Sequence, residues 1–219
     1  ITAAGDNLAE GIVSDQSKVR QYGRNLLGEG RRLGTMIDQV LLYAGLGGGA
    51  RPNVEVDVKE IVGAATRSTS EARPGHLIMH IQDQLPPLRG DRVAVESVIR
   101  NLVSNAFVHN PSSTTVTLRV HTESREANRG RRHSPPGSEI LVIEVSDTGR
   151  GIPRREIQKI REPFYRGEQS QADQIPGSGL GLSLVSRIAA TYDGSVTIRS
   201  DEGKGTTVTV KLRFERGDD

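Results

Sequence analysis

Hydrophobic positions in the first quarter of the chain predict two helices. A short helical pattern covers residues 1–13, and residues 14–17 form a predicted turn. From Lys18 to Ala44, apolar side chains recur every seven residues, which is the stripe of a coiled coil or helical bundle. Glycines within this stripe each weaken a helix by about 1 kcal/mol relative to alanine, so packing against other helices must stabilise it. A hairpin that pairs with a second copy and one that folds back on its own domain both fit.

A glycine-rich segment from Leu46 to Pro52 predicts a flexible linker. It divides the chain into a helical hairpin at residues 1–46, a linker at 47–52 and a larger domain at 53–219. Apolar runs in the larger domain predict strands at 54–58, 77–81, 115–121, 139–146, 196–200 and 206–214. The 3/4 spacing predicts helices at 60–73, 91–110, 154–160 and 178–192. Because helices and strands are segregated and hairpins dominate, the predicted fold class is α+β, a two-layer α/β sandwich with a mixed sheet, preceded by an α-helical hairpin.

The helix predicted from Asp91 to Asn110 has an unusual polar face. Its apolar residues fall at the 3/4 spacing that buries one side of a helix. Asn101 and Asn105 stand four residues apart and His109 four further on, so their side chains share one stripe. Taken alone, this stripe also fits the outer face of an ordinary core helix.

Two glycine-rich turns follow that helix along the chain. Asp147 to Ile152 comes directly after an apolar strand, and Gly177 to Leu182 leads into the last predicted helix. Glycines spaced two apart let a backbone approach a ligand closely, and free N–H groups at a helix start bind phosphate. A dinucleotide-binding motif belongs to the first turn of a βαβ unit, and this context disfavours it.

Composition excludes several classes of protein. The chain of 219 residues is 34% hydrophobic, which is enough for a core, and it contains no Cys, which fits a reducing compartment. No apolar run approaches the ~20 residues that span a bilayer, so a soluble segment is expected. The net charge of +2 gives no argument for nucleic acid. Basic residues between Arg125 and His133 lie among Gly and Pro and indicate a solvated loop.

Four motifs in this order resemble the ATP-binding domain of sensor histidine kinases, within the gyrase, heat-shock chaperone and mismatch-repair ATPase superfamily. Asn101 to Ala106 is similar to the N box, and Asp147 to Ile152 to the first glycine box. Glu162 to Gly167 resembles the F box, and Gly177 to Leu182 the second glycine box. The resemblance covers roughly residues 53–215. It implies a Bergerat-type ATP-binding fold, with ATP and Mg²⁺ as cofactors.

The resemblance also implies partners. The helical hairpin of such kinases pairs with its twin in a dimeric bundle, which predicts a homodimer. The downstream partner would be a response-regulator receiver domain, and the chain would be the cytoplasmic part of a larger sensor, which can be membrane-anchored. No direct membrane contact is expected of this segment.

The family's base-binding residues correspond to the first glycine turn. The resemblance implies that Asp147 accepts a hydrogen bond from the exocyclic amine of adenine. Gly149 and Gly151 would let the chain pass close to the base, with Ile152 as an apolar wall. An Asp before Thr-Gly is also an ordinary turn residue. Thr207, with its neighbour Thr206, resembles the threonines near the family's base pocket, although paired threonines are common strand residues.

The resemblance gives the two asparagines catalytic roles. The side-chain oxygen of Asn105 would bind Mg²⁺, a hard cation that takes oxygen ligands. Asn101 stands where relatives that hydrolyse ATP carry a glutamate. Because a carboxamide cannot act as a general base, the γ-phosphoryl group would be kept from water and transferred to a histidine.

The second glycine box and its flanks would enclose the phosphates. Backbone N–H groups of the glycines would bind the phosphates, and the polar stretch 167–176 is predicted to be a lid. Phe164 and Tyr165 are expected to hold this lid against the core, and Arg166 to reach a phosphate or decorate the lid. The candidate nucleotide-binding residues are Asn101, Asn105, His109, Asp147, Gly149, Gly151, Ile152, Tyr165, Arg166, Gly177, Ser178, Gly179, Leu180, Gly181, Leu182 and Thr207.

One position departs from the family pattern. The third residue after the metal-binding asparagine usually carries Lys or Arg aimed at the phosphates, but this chain has Val108. The missing cation predicts weaker ATP affinity or slower transfer than is usual, unless His109, Arg166 or a lid residue offsets it.

The positions of the histidines do not identify a phosphate-accepting residue. They lie at positions 76, 80, 109, 121 and 133, so none occupies the family's acceptor position on the first bundle helix. The chain as given is expected to bind ATP without phosphorylating itself on the usual residue. Besides a kinase core, two alternatives remain: a degenerate nucleotide-binding scaffold, and an anti-sigma-type serine protein kinase, which would not need the heptad hairpin.

Overall fold

The computed structural model describes residues 2–12, 15–45, 54–73, 75–124, 138–173, 175 and 177–216. These residues form two compact units that divide between Gly45 and Leu46. The predicted linker at 47–52 and the basic loop between Arg125 and His133 lie outside the described residues. None of the described helices is both long enough and apolar enough to cross a bilayer.

The first unit contains two helices, α1 (Thr2–Ala9) and α2 (Gln16–Gly45). Asp15 caps α2, since its side chain accepts hydrogen bonds from the backbone N–H groups of Ser17 (2.9 Å) and Lys18 (3.0 Å). The heptad stripe therefore lies on one continuous helix. The exposed apolar side chains of α2 are Val19, Leu33 and Val40 on this stripe, and Leu27, Ile37 and Leu41 at other positions.

The second unit is built on a mixed sheet of seven strands. They are β1 (Val54–Val56), β2 (Leu77–Ile81), β3 (Leu88–Gly90), β4 (Val116–Ser124), β5 (Ser138–Asp147), β6 (Ser195–Asp201) and β7 (Gly205–Arg216). Their order is β1-β3-β7-β5-β4-β2, and β6 pairs with β7 on the edge that β3 also uses. Among the described pairings, β2 with β4 is parallel and the others are antiparallel.

Helices cover one face of this sheet. They are α3 (Val58–Ala72), α4 (Arg92–Val108) and α6 (Gly181–Thr191). Leu141, Ile143 and Val145 of β5 are buried beneath this layer, because side chains alternate between the faces of a strand. The opposite face carries cross-strand ion pairs, Arg119–Glu144 (3.3 Å) and Lys211–Glu123 (2.7 Å). The predicted two-layer sandwich with a mixed sheet is thus confirmed.

Local hydrogen bonds move several predicted boundaries. Val58 begins α3 instead of ending the first strand, because Asp57 caps the helix by accepting from the Glu60 N–H (3.0 Å). α6 begins at Gly181 and not at 178, because Gly179 has a φ of +71°, outside the helical region. Residues 154–160, predicted as a helix, form turns that lead into a 3₁₀ turn at Lys159–Arg161.

Two short elements were not predicted. β3 is three residues long, and a helix of five residues, α5 (Glu168–Ala172), lies within the predicted lid. Such lengths are too short for hydrophobic periodicity to be recognised.

Candidate functional site

The two asparagines of α4 lie against the start of α6. Asn101 is buried, and its side-chain nitrogen donates to the Ser97 carbonyl (2.8 Å), which fixes the orientation of the carboxamide. A Cβ on Gly181 would lie 2.9 Å from Asn101 Oδ1 and 3.4 Å from Asn105 Nδ2. Glycine therefore lets α6 begin directly beside both carboxamides, and it brings the N box and the second glycine box together.

Asp147 ends β5 in a buried position on the helical face of the sheet. Its carboxylate accepts a hydrogen bond from the Gly149 N–H (2.8 Å). Burial raises the pKa of Asp147, while hydrogen bonds from the Gly149 and Thr206 backbone and from the Asn110 side chain act in the opposite direction. The carboxylate is thus desolvated yet held in place by three donors.

Asn110, which the sequence did not identify, joins the end of α4 to the first glycine turn. Its Nδ2 donates to the Ala106 carbonyl (2.9 Å), and its Oδ1 accepts from the Arg150 N–H (2.9 Å). A Cβ on Gly149 would lie only 2.0 Å from Asn110 Cγ. The glycine at 149 is therefore required by this contact, and no local sequence pattern reveals it.

The first glycine turn is also seated on the hairpin between β6 and β7. Gly151 has a φ of +70°, and a Cβ there would lie 2.1 Å from the Asp201 carbonyl oxygen. The Gly203 N–H donates to the Arg150 carbonyl (2.7 Å), and the Ile152 N–H donates to Ser200 Oγ (2.8 Å). The turn is held from both sides, by α4 and by the hairpin.

The second glycine box contacts the F box. The Phe164 N–H donates to the Gly179 carbonyl (3.0 Å), and a Cβ on Gly179 would lie 2.6 Å from the Phe164 carbonyl carbon. Phe164 has a φ of +64° and is 71% exposed. The expectation that Phe164 holds the lid against the core is therefore wrong. Tyr165 is half-buried, and its N–H donates to the Glu162 carbonyl (3.3 Å).

The other residues of this box surround the start of α6. Gly177 is exposed and has open space around it. Ser178 Oγ accepts from the Leu180 N–H (3.2 Å), and Leu180 itself is buried. Leu182 is half-buried.

The predicted lid contains α5 and contacts both α4 and the first glycine turn. His109 Nδ1 lies 3.0 Å from Ser170 Oγ, and Arg150 donates to Asp173 (2.6 Å). Arg166 points back into the lid, where it donates to the Ile175 carbonyl. Burial lowers the pKa of His109, and the nearby cations Arg150 and Arg166 lower it further. A neutral imidazole therefore joins α4 to the lid.

The strand register separates the two threonines. Thr206 pairs with Asp147 across β5 and β7 and shares its face of the sheet. Thr207 faces the opposite side, where its hydroxyl lies 2.9 Å from Ser146 Oγ. The threonine beside the Asp147 side chain is thus Thr206, which is the neighbour of the residue chosen from the sequence.

A cavity of about 500 Å³, the Asp147 cavity, lies at this end of the sheet. Both threonines border it, and its lining residues are Ser146, Asp147, Arg154, Ile157, Ile198, Arg199, Ser200, Asp201, Lys204, Gly205, Thr206 and Thr207. It combines two apolar side chains, Ile157 and Ile198, with hydrogen-bond acceptors and with three cationic side chains, Arg154, Arg199 and Lys204, which suits a polar ligand that both donates and accepts, such as a base.

Comparison with known proteins identifies the family. Residues 90–216 match the model described as histidine kinase-, DNA gyrase B-, and HSP90-like ATPase. This match covers more than half of the chain, so the chain belongs to that family, and the resemblance inferred from the four boxes is confirmed.

Several similar proteins are sensor kinases. The sensor-like histidine kinase SenX3 of Mycobacterium tuberculosis is 33% identical over 212 residues, which is 94% of this chain and 48% of SenX3. The sensor histidine kinase WalK of Bacillus subtilis is 31% identical over 125 residues, 57% of this chain and 18% of WalK. The chain thus spans about half the length of SenX3.

Solved structures share the fold. Full-length ShkA in complex with AMPPNP has a TM-score of 0.67 and 22% identity, over 91% of this chain and 40% of that one. The Acinetobacter baumannii histidine kinase AdeS has a TM-score of 0.61 and 18% identity, over 99% of this chain and 93% of that one.

Proposed function

We propose that this chain is the ATP-binding catalytic core of a sensor histidine kinase. The observation that supports this most directly is that α4 contacts both glycine-rich turns. Its two carboxamides contact Gly181 at the start of α6, and its end is joined to Asp147 and the first glycine turn through Asn110. Groups suited to a base, a metal ion and phosphates therefore adjoin one helix.

The base would bind in the Asp147 cavity. Three donors already fill part of the capacity of the Asp147 carboxylate, and the remaining lone pairs would accept from an exocyclic amine of the base. Ile152 would contact the base from the turn that Asn110 and the β6–β7 hairpin hold in place.

The carboxamides of α4 fit a hard divalent cation. The oxygen of Asn101 faces the Cβ space that Gly181 leaves open, and Asn105 stands one turn further on. Mg²⁺ accepts oxygen ligands and keeps several waters, so Asn105 with phosphate oxygens would hold it, where it would neutralise phosphate charge. Asn101 cannot deprotonate water.

Transfer would form a bond between the acceptor imidazole nitrogen and the γ-phosphorus as the bond to the bridging β–γ oxygen breaks and ADP leaves. The N–H groups in the first turn of α6 have no intrahelical acceptor and would bind phosphate oxygens. The lid would exclude water.

We further propose a cytoplasmic site of action, a homodimer formed through α2, and a response-regulator receiver domain as the recipient of the phosphoryl group. The exposed apolar stripe of α2 supports the homodimer. The relatives named above support the receiver domain.

The test is phosphorylation of a separately supplied helical segment that carries an acceptor histidine followed by a carboxylate. With ATP and Mg²⁺, acid-labile phosphate should appear on that segment, and Asn105→Ala should abolish it. Ser104→Ala, an exposed neighbour on α4, should leave it intact. Absence of both binding and transfer in the unsubstituted chain would refute the proposal.

Val108 supports a second candidate, a nucleotide-binding scaffold. Its side chain is 41% exposed, so the position has room for the missing cation. Val108→Lys should tighten ATP binding or speed transfer, as measured by nucleotide titration and phosphorylation rate. Binding without transfer, unchanged by this substitution, would favour the scaffold.

A further inference from the structure

Two cations lie beside His109, and they are held in different ways. Burial lowers the pKa of His109, and the nearby charges of Arg150 and Arg166 lower it further, so both guanidinium groups are close to the imidazole. Arg166 donates to the Ile175 carbonyl inside the lid. The Arg150 guanidinium instead donates to the carboxylate of Asp173 (2.6 Å), and these two side chains are 38% and 37% exposed. Arg150 is therefore held by an anion that solvent can reach.

The backbone of Arg150 is fixed at both of its polar groups. Its N–H donates to Asn110 Oδ1 (2.9 Å), and its carbonyl accepts from the Gly203 N–H (2.7 Å). The long side chain alone reaches across to the lid. A guanidinium group binds carboxylate and phosphate through the same planar set of donors. A phosphate can therefore replace the Asp173 carboxylate without moving the first glycine turn.

The guanidinium group also lies near the proposed phosphate site. Asn105, the proposed Mg²⁺ ligand, and His109 are four residues apart on α4, which is a rise of about 6 Å along the helix. Val108 stands between them and carries no charge. Because Arg150 lies beside His109, its flexible side chain is placed to supply a positive charge to this stretch of α4.

We propose that Arg150 is a phosphate-binding residue that supplies the cation missing at Val108, and that Asp173 occupies its guanidinium group until a nucleoside triphosphate displaces it. The inference rests on the proposed nucleotide site. The exchange is favourable because a triphosphate carries several negative charges, whereas Asp173 carries one and forms an exposed pair that contributes little to stability. After displacement, Asp173 keeps a hydrogen bond from the Gln169 side chain (3.0 Å). Asp173 therefore weakens ATP binding by competing with the phosphates.

The first test compares ATP with adenosine, which has the base and ribose but no phosphate. Both affinities are measured with Mg²⁺ by displacement of a fluorescent ATP analogue, whose own affinity is measured for each variant. Arg150→Ala should weaken ATP binding about ten-fold, since charge-assisted hydrogen bonds to phosphate are lost. The affinity for adenosine should stay within about two-fold, which also shows that the variant is folded.

Removal of the competing carboxylate should have the opposite effect. Asp173→Asn should tighten ATP binding about two- to five-fold, the range of an exposed ion pair, and leave adenosine binding unchanged. Glu168→Gln is the matched control, because Glu168 forms another ion pair of the lid, with Arg155 (2.7 Å). It removes the same charge but frees a different cation, so ATP affinity should change less than two-fold. In an Arg150→Ala background, Asp173→Asn should have no effect.

A lysine at position 108 should rescue the loss of Arg150. Val108→Lys restores a cation on α4, so it should recover most of the ATP affinity that Arg150→Ala removes. Its gain in that background should exceed its gain in the unsubstituted chain, where Arg150 already serves the phosphates.

Three results would overturn the inference. They are an Arg150→Ala variant that binds ATP as tightly as the unsubstituted chain, an Arg150→Ala variant that weakens ATP and adenosine equally, and equal gains in ATP affinity from Asp173→Asn and Glu168→Gln. The second result would indicate a loosened glycine turn, and the third a general effect of lid charge. An unsubstituted chain that binds neither ligand would instead contradict the proposed function.

Discussion

At the scale of single residues, Asp147 is buried without gaining stability from its charge. Burial raises the pKa of its carboxyl group despite three hydrogen bonds that lower it. A raised pKa means that ionisation costs the folded chain more than the unfolded chain, so the contribution of this group to stability declines as pH rises through its folded pKa. Ionisation of this group therefore does not stabilise the fold, which agrees with the proposed role of Asp147 in binding the base.

Replacement of Asp147 by asparagine should therefore separate binding from stability. Asp147→Asn keeps the shape of the side chain but removes the charge, and ATP affinity should fall by about ten-fold or more. The free energy of unfolding at pH 7 should change by less than about 1 kcal/mol. Urea unfolding and nucleotide titration measure the two quantities, with exposed Asp83→Asn as the control. A large loss of stability with intact binding would contradict this assignment.

His109 should make stability depend on pH. Its pKa in the folded chain is lowered by burial and then by Arg150 and Arg166, so the unfolded chain binds the proton more readily. This contribution to stability is complete above the ordinary pKa of about 6.5 and is lost as pH falls from there through the lower pKa of the folded chain. Between pH 7.5 and 5.5, the unsubstituted chain should lose more stability in urea unfolding than His109→Gln does.

The matched control is His80→Gln, at an exposed position on β2. This variant should follow the unsubstituted chain across the same pH range. If His109→Gln and the unsubstituted chain lose the same free energy of unfolding over this pH range, then His109 does not contribute to the pH dependence of stability.

Sequence motifs identify residues whose neighbours are local, and they miss residues that act over distance. Asp147 and the asparagines of α4 stand in recognisable boxes. Asn110 contacts Arg150 40 positions away, and Ser200 contacts Ile152 48 positions away, so neither has a local pattern. The choice between Thr206 and Thr207 depends on strand register, because a shift of one residue moves a side chain to the other face.

At the scale of elements, the first glycine turn depends on its two supports. Gly151 and Gly203 both have positive φ, +70° and +80°. They differ in their surroundings, because a Cβ on Gly151 would overlap the Asp201 backbone, whereas Gly203 faces open space. Comparison of alanine substitutions at these two glycines therefore distinguishes the effect of steric overlap from that of backbone strain.

Gly151→Ala should destabilise the second unit far more than Gly203→Ala. Left-handed backbone alone costs about 1–2 kcal/mol for alanine, and this is the expected loss at Gly203. At Gly151 the overlap must also be relieved by moving the hairpin, so a loss of about 3 kcal/mol or more is expected. Urea unfolding measures the stability of both variants. Equal losses of stability would contradict close packing of the first glycine turn against the β6–β7 hairpin.

Long elements were predicted from the sequence, and short ones were not. α3 and α4 have buried stripes and capping aspartates at Asp57 and Asp91, which are strong local signals. α5 and β3 have neither the length nor a periodic pattern. Their positions depend on contacts with other elements, such as the pairing of β3 with β1 and β7.

At the scale of the whole molecule, the chain combines a domain with its own core and a hairpin with an uncovered stripe. The α+β sandwich could be predicted because helices and strands are segregated along the sequence. The strand order could not, because β3 and β6 share one edge of β7, which only cross-strand register specifies.

Substitution on α2 should abolish self-association without affecting nucleotide binding. Val40, a member of the seven-residue stripe, is 48% exposed, and Val40→Glu would place a charge in that stripe, where burial against a second copy is unfavourable. Sedimentation should show a dimer for the unsubstituted chain and a monomer for the variant, with ATP affinity unchanged within about two-fold, since the second unit has its own core. Lys18→Glu, an exposed polar position of α2, is the control. A chain that is monomeric throughout would contradict dimerisation through this helix.

The contacts of the lid have one further consequence. The ion pairs Arg150–Asp173 and Arg155–Glu168 are both exposed to solvent, and such pairs contribute at most about 1 kcal/mol, which is close to thermal energy. Dissolved ions weaken them further at physiological ionic strength, where charges are screened over about 8 Å. If the proposed function holds, ordinary fluctuations would open the lid over a bound nucleotide, and exchange of ADP for ATP would need no separate trigger.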